Sequence, residues 1–200
     1  MVETAAPFAT PVRLEASGLR VEEIRGRTLV QVSGLVPAEA ERALIGLLGA
    51  RALPPHEIVA GQGIELLRLA PTRWLAMTQG GAIEERLTSA LGPAAAVLDV
   101  THAFAILRLE GPLVRDALSE VCPLDFDARR FAAGRGERST FFGQTHATYI
   151  ARGEHSFELH LPRSFARSAV GDLEATLRGV AATAALSGSA GSSPGRGARA

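Results

Sequence analysis

The feature that most narrows what this chain can fold into is an internal repeat. The first copy opens on the strand-like TLVQVS (28–33), passes Gly34 and enters a helix at Pro37. Proline suits a first helical turn, where its missing N–H costs nothing. Glu39 and Glu41 complement the positive end of that helix. Ala43, Leu44, Leu47 and Leu48 form an apolar stripe, and Gly49 is a natural stop. The second copy runs FAILRLE (104–110), Gly111, Pro112, and then Leu113, Val114, Ala117, Leu118 and Val121 in matching helical spacing. In the first copy 64–69 and 73–78 read as paired strands around Ala70-Pro71-Thr72. In the second, 146–151 and 156–161 pair around 152–155. Each copy then enters a helix, marked by Ile83, Leu87 and Leu91 in one and by Phe165, Ala169, Leu173 and Leu177 in the other.

A β-α-β-β-α unit has one sheet face left to cover and two helices to cover it. The expected fold is therefore α+β, two related β-α-β-β-α halves with mixed, mainly antiparallel sheets. Gly34 and Gly111 should stand at equivalent strand ends. We delimit the halves at 18–92 and 93–181, with a further strand at Val97–Val100 where they join. Residues 182–200, ending SGSAGSSPGRGARA from Ser187, read as a disordered Gly/Ser-rich tail. Residues 1–17 read as an arm whose order comes from docking on something else.

Composition excludes several chemistries. With 46% hydrophobic residues among 200, a sizeable core is available, and the zero formal net charge offers nothing to nucleic acid or an acidic membrane. All 21 basic residues are arginine. Without lysine the chain can form no side-chain Schiff base and supply no P-loop lysine. A single cysteine, Cys122, rules out an internal disulfide or a CxxC pair. Neither a secretory signal nor an apolar run of roughly 18 residues is evident, so a cytoplasmic location is expected.

Side chains that could carry chemistry are scattered. The five histidines, His56, His102, His146, His155 and His160, include no helical i, i+4 pair and no HExxH. On strand 156–161 the period of two puts His160 beside Glu158 on the polar face, which favours a solvated or interface-facing histidine over a metal or proton-transfer site. Asp125 and Asp127 suit a turn better than an acid–base couple. Gly61-Gln62-Gly63 and Gly134-Arg135-Gly136 do not extend to a dinucleotide fingerprint, and Gly80-Gly81 reads as a tight turn. Cys122, closing an apolar helix stripe before Pro123, reads as a buried small hydrophobe.

Three stretches together carry a family resemblance: RLAPTRWLAM (68–77), LDVTHAFAILRLEGPLVRDALSEVCPLDFDARRF (98–131) and FELHLPRSFARS (157–168). The ordered pair of CPLD (Cys122, Pro123, Leu124, Asp125) and LPRSF (through Pro162, Arg163, Ser164, Phe165) is the most specific part. With it the chain resembles the gamma subunits of heterotetrameric sarcosine oxidases. That resemblance implies a fold like the folate-binding domain of the glycine-cleavage T-protein, itself built of two related halves. It implies a complex that demethylates sarcosine to glycine and passes the one-carbon unit to tetrahydrofolate. Alpha, beta and delta partner subunits are implied, with FAD, FMN, NAD and zinc associated with them. No cofactor is expected on this chain alone, nor any catalytic residue or metal, and the motif residues are expected to be structural or interface positions. AVGDLEATL (169–177) stands where relatives tend to carry a tryptophan-containing turn, and STFFGQTHATYI (139–150) is unusually polar. These departures leave open the gamma-type subunit of a related N-methyl amino acid dehydrogenase. A free-standing folate-binding aminomethyltransferase is the alternative of a different class.

Overall fold

The computed structural model describes residues 7–16 and 18–190, with backbone alone for 187–190. Both copies of the repeat are present. The first comprises β3 (Thr28–Gly34), α1 (Pro37–Leu48), β4 (Ile58–Gly61), β5 (Ile64–Ala70), β6 (Arg73–Thr78) and α2 (Glu84–Leu91), followed by β7 (Ala95–Asp99). The second comprises β8 (Phe104–Glu110), α3 (Val114–Val121), β9 (Gly136–Phe141), β10 (Thr145–Gly153), β11 (Ser156–Pro162) and α4 (Arg163–Ala190). Ahead of both stand β1 (Arg13–Ala16) and β2 (Leu19–Ile24).

Local signals act as their chemistry dictates. α1 starts on Pro37, carries Glu39 in its first turn and buries Ala40, Leu44 and Leu48. It stops at Gly49, whose φ of 64° is left-handed, with the Ala50 N–H returning to the Ile45 carbonyl at 3.0 Å. Gly34 and Gly111 do occupy equivalent strand ends, for different reasons. A Cβ on Gly34 would press on Trp74 at 3.2 Å, whereas Gly111 has φ 134° and lies against the Gly18 carbonyl.

The repeat unit is β-α-β-β-β-α, because β4 and β9 precede the expected strand pairs. Among the described residues every pairing of these strands is antiparallel, where a mixed, mainly antiparallel arrangement was expected. One sheet runs β4-β5-β6-β3-β7 and the other β9-β10-β11-β8-β2-β1. The two orders correspond strand for strand, except that the two edges are exchanged along the chain. β7, placed by sequence at the start of the second half, pairs with β3 of the first. β2, placed in the first half, pairs with β8 of the second. The expected arm supplies β1, which docks on β2 of this same chain. α4 continues to Ala190, into the stretch read as a tail from 182, and residues 191–200 lie outside those described.

The layers run helix, sheet, sheet, helix. One core joins α1 and α2 to Val30, Val32, Leu66, Trp74 and Ala76. A second joins α3 and α4 to Leu107, Leu109, Phe157, Leu159 and Leu161. Between the sheets lies a smaller apolar seam of Leu29, Leu67, Leu75, Met77, Ile106 and Ile150. At one edge the sheets almost merge: Gly136 N–H donates to the His56 carbonyl at 2.9 Å and Ile58 N–H to that of Gly134 at 2.7 Å.

Candidate functional site

Arg27, Glu158 and His160, charged or titratable side chains that are nonetheless buried, sit where the two sheets meet. On β11, Phe157, Leu159 and Leu161 point to the helical layer, so the pleat turns Glu158 and His160 toward the other sheet. The sequence places these two on one face correctly. That face is not solvated, however: both side chains are fully buried, because the second sheet closes over them.

Four side chains form a closed ring across the sheets. Arg27, just before β3, donates to Glu158 at 2.9 Å and reaches Glu65 on β5 at 3.4 Å. Arg152 on β10 grips both oxygens of Glu65, at 2.8 and 2.9 Å, and donates to the second oxygen of Glu158 at 2.8 Å. Arg108 on β8 flanks Glu158 at 3.4 Å. Glu158 therefore has both oxygens in use, as a buried carboxylate must. Burial alone would raise its pKa. The guanidiniums of Arg152 and Arg27, both bonded to it, outweigh that and hold it at about 2. Burial lowers the pKa of Arg27, against the pull of Glu158, and arginine stays protonated regardless. The arrangement of the ring suits a lock between the repeats rather than an acid–base site.

His160 stands beside the ring without joining it. Its Nε2 is 3.7 Å from Glu158, and neither ring nitrogen has a hydrogen-bond partner. Burial lowers its pKa, with Glu158 pulling the other way.

The motif residues occupy two joints of the fold. Cys122 is buried at the end of α3, in a core that includes Phe126, Phe131, Tyr149 and Phe157. Pro123 and Asp125 are exposed and Leu124 half-buried. Asp125 accepts from the Asp127 N–H at 3.0 Å and pairs with Arg130, so the two aspartates are turn-formers. Burial pushes the Tyr149 hydroxyl up, with Cys122 beside it, and that hydroxyl donates to the Thr140 carbonyl at 2.8 Å. Pro162 closes β11 and Arg163 opens α4, with Ser164 exposed. Phe165 departs from the expected stripe. The buried line is Ala166, Ala169, Leu173 and Leu177, and Phe165 lies about 100° round the helix from Ala166 and is 38% exposed.

Sequence reasoning missed Arg115. Its guanidinium lies 5.0 Å over the Phe157 ring and donates to the carbonyls of Phe126, Phe131 and Glu154, fastening the loop after CPLD. Nothing in an RD dipeptide on an exposed helix face signals those three distant acceptors. The remaining histidines stay apart: His102, His146 and His155 are exposed and His56 is half-buried. Among the described residues no group of three or more His, Cys, Asp or Glu could hold a metal ion, and no helix is long and apolar enough to cross a membrane.

Comparison with known proteins agrees with this architecture. A sarcosine oxidase subunit gamma from Arthrobacter sp is 29% identical over 154 residues, which is 75% of each chain. A chain of the heterotetrameric sarcosine oxidase from Corynebacterium sp. U-96 has a TM-score of 0.75 at 22% identity, covering 84% of this chain and 89% of that one. The glycine cleavage system aminomethyltransferase T from Bartonella henselae has a TM-score of 0.60 at 22% identity. That match covers 76% of this chain but 44% of the longer enzyme, so what is shared is the fold of less than half of it. Residues 37–173, from α1 into α4 and across both repeats, match the sarcosine oxidase, gamma subunit family; the chain belongs to that family.

Proposed function

We propose that this chain is the non-catalytic gamma subunit of a heterotetrameric sarcosine oxidase-type complex, bracing the flavin-bearing subunits. The observation that carries the reading is the family match across both repeats. It is supported by the state of the buried ring, whose carboxylates are saturated by arginines that cannot act as bases. Alpha, beta and delta subunits would be its partners, with FAD, FMN, NAD, zinc and tetrahydrofolate handled by the assembly rather than by this chain. The role of CPLD and LPRSF divides in the same way. Cys122 serves the fold, and half-buried Arg163 with exposed Ser164 and Phe165 are offered as contact positions at the start of α4.

The fold shared with an aminomethyltransferase favours one rival, a chain that binds folate and transfers a one-carbon unit itself. Assaying the purified chain separates the two. The subunit reading expects no flavin absorbance, no oxidation of sarcosine and no transfer to tetrahydrofolate. Turnover of a folate substrate by the isolated chain at an enzymatic rate would establish the rival. Assays of the assembled complex with sarcosine and with N-methylglutamate then decide the substrate.

A further inference from the structure

The first sheet stops one strand short of the second. In strand order β7 corresponds to β2, yet β2 carries β1 on its outer side, and no strand among the described residues pairs with the outer side of β7. Leu35 N–H donates to the Ala94 carbonyl at 2.8 Å and Val100 N–H to that of Leu29 at 2.9 Å, so the even-numbered residues here bond to β3. Alternation along the ladder turns the N–H and C=O groups of Val97 and Asp99 outward. Open edges are commonly blunted by charge, proline or a bulge. β1 conforms, with exposed Arg13 and Glu15 on the outermost strand of its sheet. β7 reads AAVLD in unbroken register, and its one charged side chain, Asp99, is engaged by the Thr101 N–H at 2.7 Å.

The sheet face beside that edge is bare as well. The second sheet covers Leu29, Leu75 and Met77 on it. Leu98, in register with Gln31 and Leu75, is 58% exposed, and Leu35 just beyond β3 is 67% exposed. Arg73, opposite Ser33 on the same face, is exposed and has no carboxylate partner among the described residues. A second copy joined through its own β7 would bring another arginine and no carboxylate to this face. Two five-residue strands also fall short of the roughly 800 Å² per partner that a stable interface buries. The edge therefore suits an extended segment backed by a larger surface. We propose that β7 takes up, as a sixth antiparallel strand, an extended segment of a partner subunit whose apolar side chains cover Leu98 and Leu35 and whose adjoining surface brings a carboxylate to Arg73. This rests on the subunit reading above and names the surface through which the chain joins the assembly.

Amide hydrogen exchange tests this by comparing the isolated full chain with its complex with matching alpha, beta and delta subunits. The Val97 and Asp99 amides should exchange fast in the isolated chain and at least about tenfold more slowly in the complex. Leu98→Glu alters an exposed position, so the thermal midpoint of the isolated chain should hold while incorporation into the complex weakens at least about tenfold. If that variant does not fold, exchange in the unaltered chain decides alone. Stable co-elution with both amides unprotected, or undiminished incorporation of folded Leu98→Glu, overturns the proposal and leaves the subunit reading standing. Failure to co-elute overturns both. Protection already present in the isolated chain, or gained when it self-associates, also overturns the proposal, because this chain or a second copy would then cover the edge.

Discussion

Glu158 shows how one residue can hold two halves of a protein in register. Its carboxylate takes hydrogen bonds from Arg27 and Arg152, which come from different repeats, and it has no access to water. Glu158→Gln would leave Arg27 and Arg152 sharing the single carboxylate of the half-exposed Glu65, so chemical denaturation should report a loss of about 3–5 kcal/mol. His160 contributes differently. Its folded pKa lies below the ordinary 6.5, so the unfolded chain binds the proton more tightly. The stability it contributes is therefore complete above pH 6.5 and is lost as pH falls through that value toward its folded pKa. Glu158 adds a second, lower window, between its ordinary 4.5 and about 2. We expect the slope of stability against pH just below 6.5 to flatten in His160→Phe, with little loss at pH 7.5 because the ring nitrogens have no partners to lose. A slope that survives the substitution would assign it elsewhere. Cys122→Ser should cost about 1–3 kcal/mol, as a buried hydroxyl lacking a good partner does, and leave assembly intact.

At the scale of elements, helices and strands with strong local signals were legible and those without were not. Pro37 and Gly49 bracket α1 because proline and glycine act through their own backbone restrictions, whatever surrounds them. β5, β6, β10 and β11 carry enough apolar residues to declare themselves. β9, reading GERSTF, and β4, only four residues long, take their strand character from neighbours that sequence does not display. The burial of His160 was illegible for a related reason. Alternation along β11 says which residues share a face, but what covers that face depends on the second sheet. Gly61, seen in sequence as half of a weak Gly-Gln-Gly pattern, proves to be where the β4–β5 turn meets the end of α1. A Cβ there would lie 2.0 Å from the Leu48 carbonyl oxygen. Gly61→Ala should therefore destabilise by about 1–3 kcal/mol, measured by thermal or denaturant unfolding, since backbone must move to admit the methyl. An unchanged midpoint would mean that α1 does not pack on that turn as described.

For the whole molecule, the repeat was readable but the exchange of edge strands was not, because only long-range pairing, of β2 with β8 and of β7 with β3, decides which sheet an edge strand joins. The exchange ties each half into the other's sheet. It also leaves the two sheets unequal: β1 covers β2, whereas β7 ends its sheet with Leu98 58% exposed and Leu35, 67% exposed, nearby at the end of β3. An edge with apolar side chains that no strand among the described residues pairs with invites pairing unless a partner covers it. Whether this chain braces a larger assembly without chemistry of its own is tested most directly by co-purification. Co-expressed with matching alpha, beta and delta subunits, the chain should elute in one stable species that carries flavin absorbance and oxidises an N-methyl amino acid. The same preparation lacking this chain should lose stability as a complex. If the chain instead elutes alone beside those subunits, and their stability and turnover are the same without it, the account is contradicted.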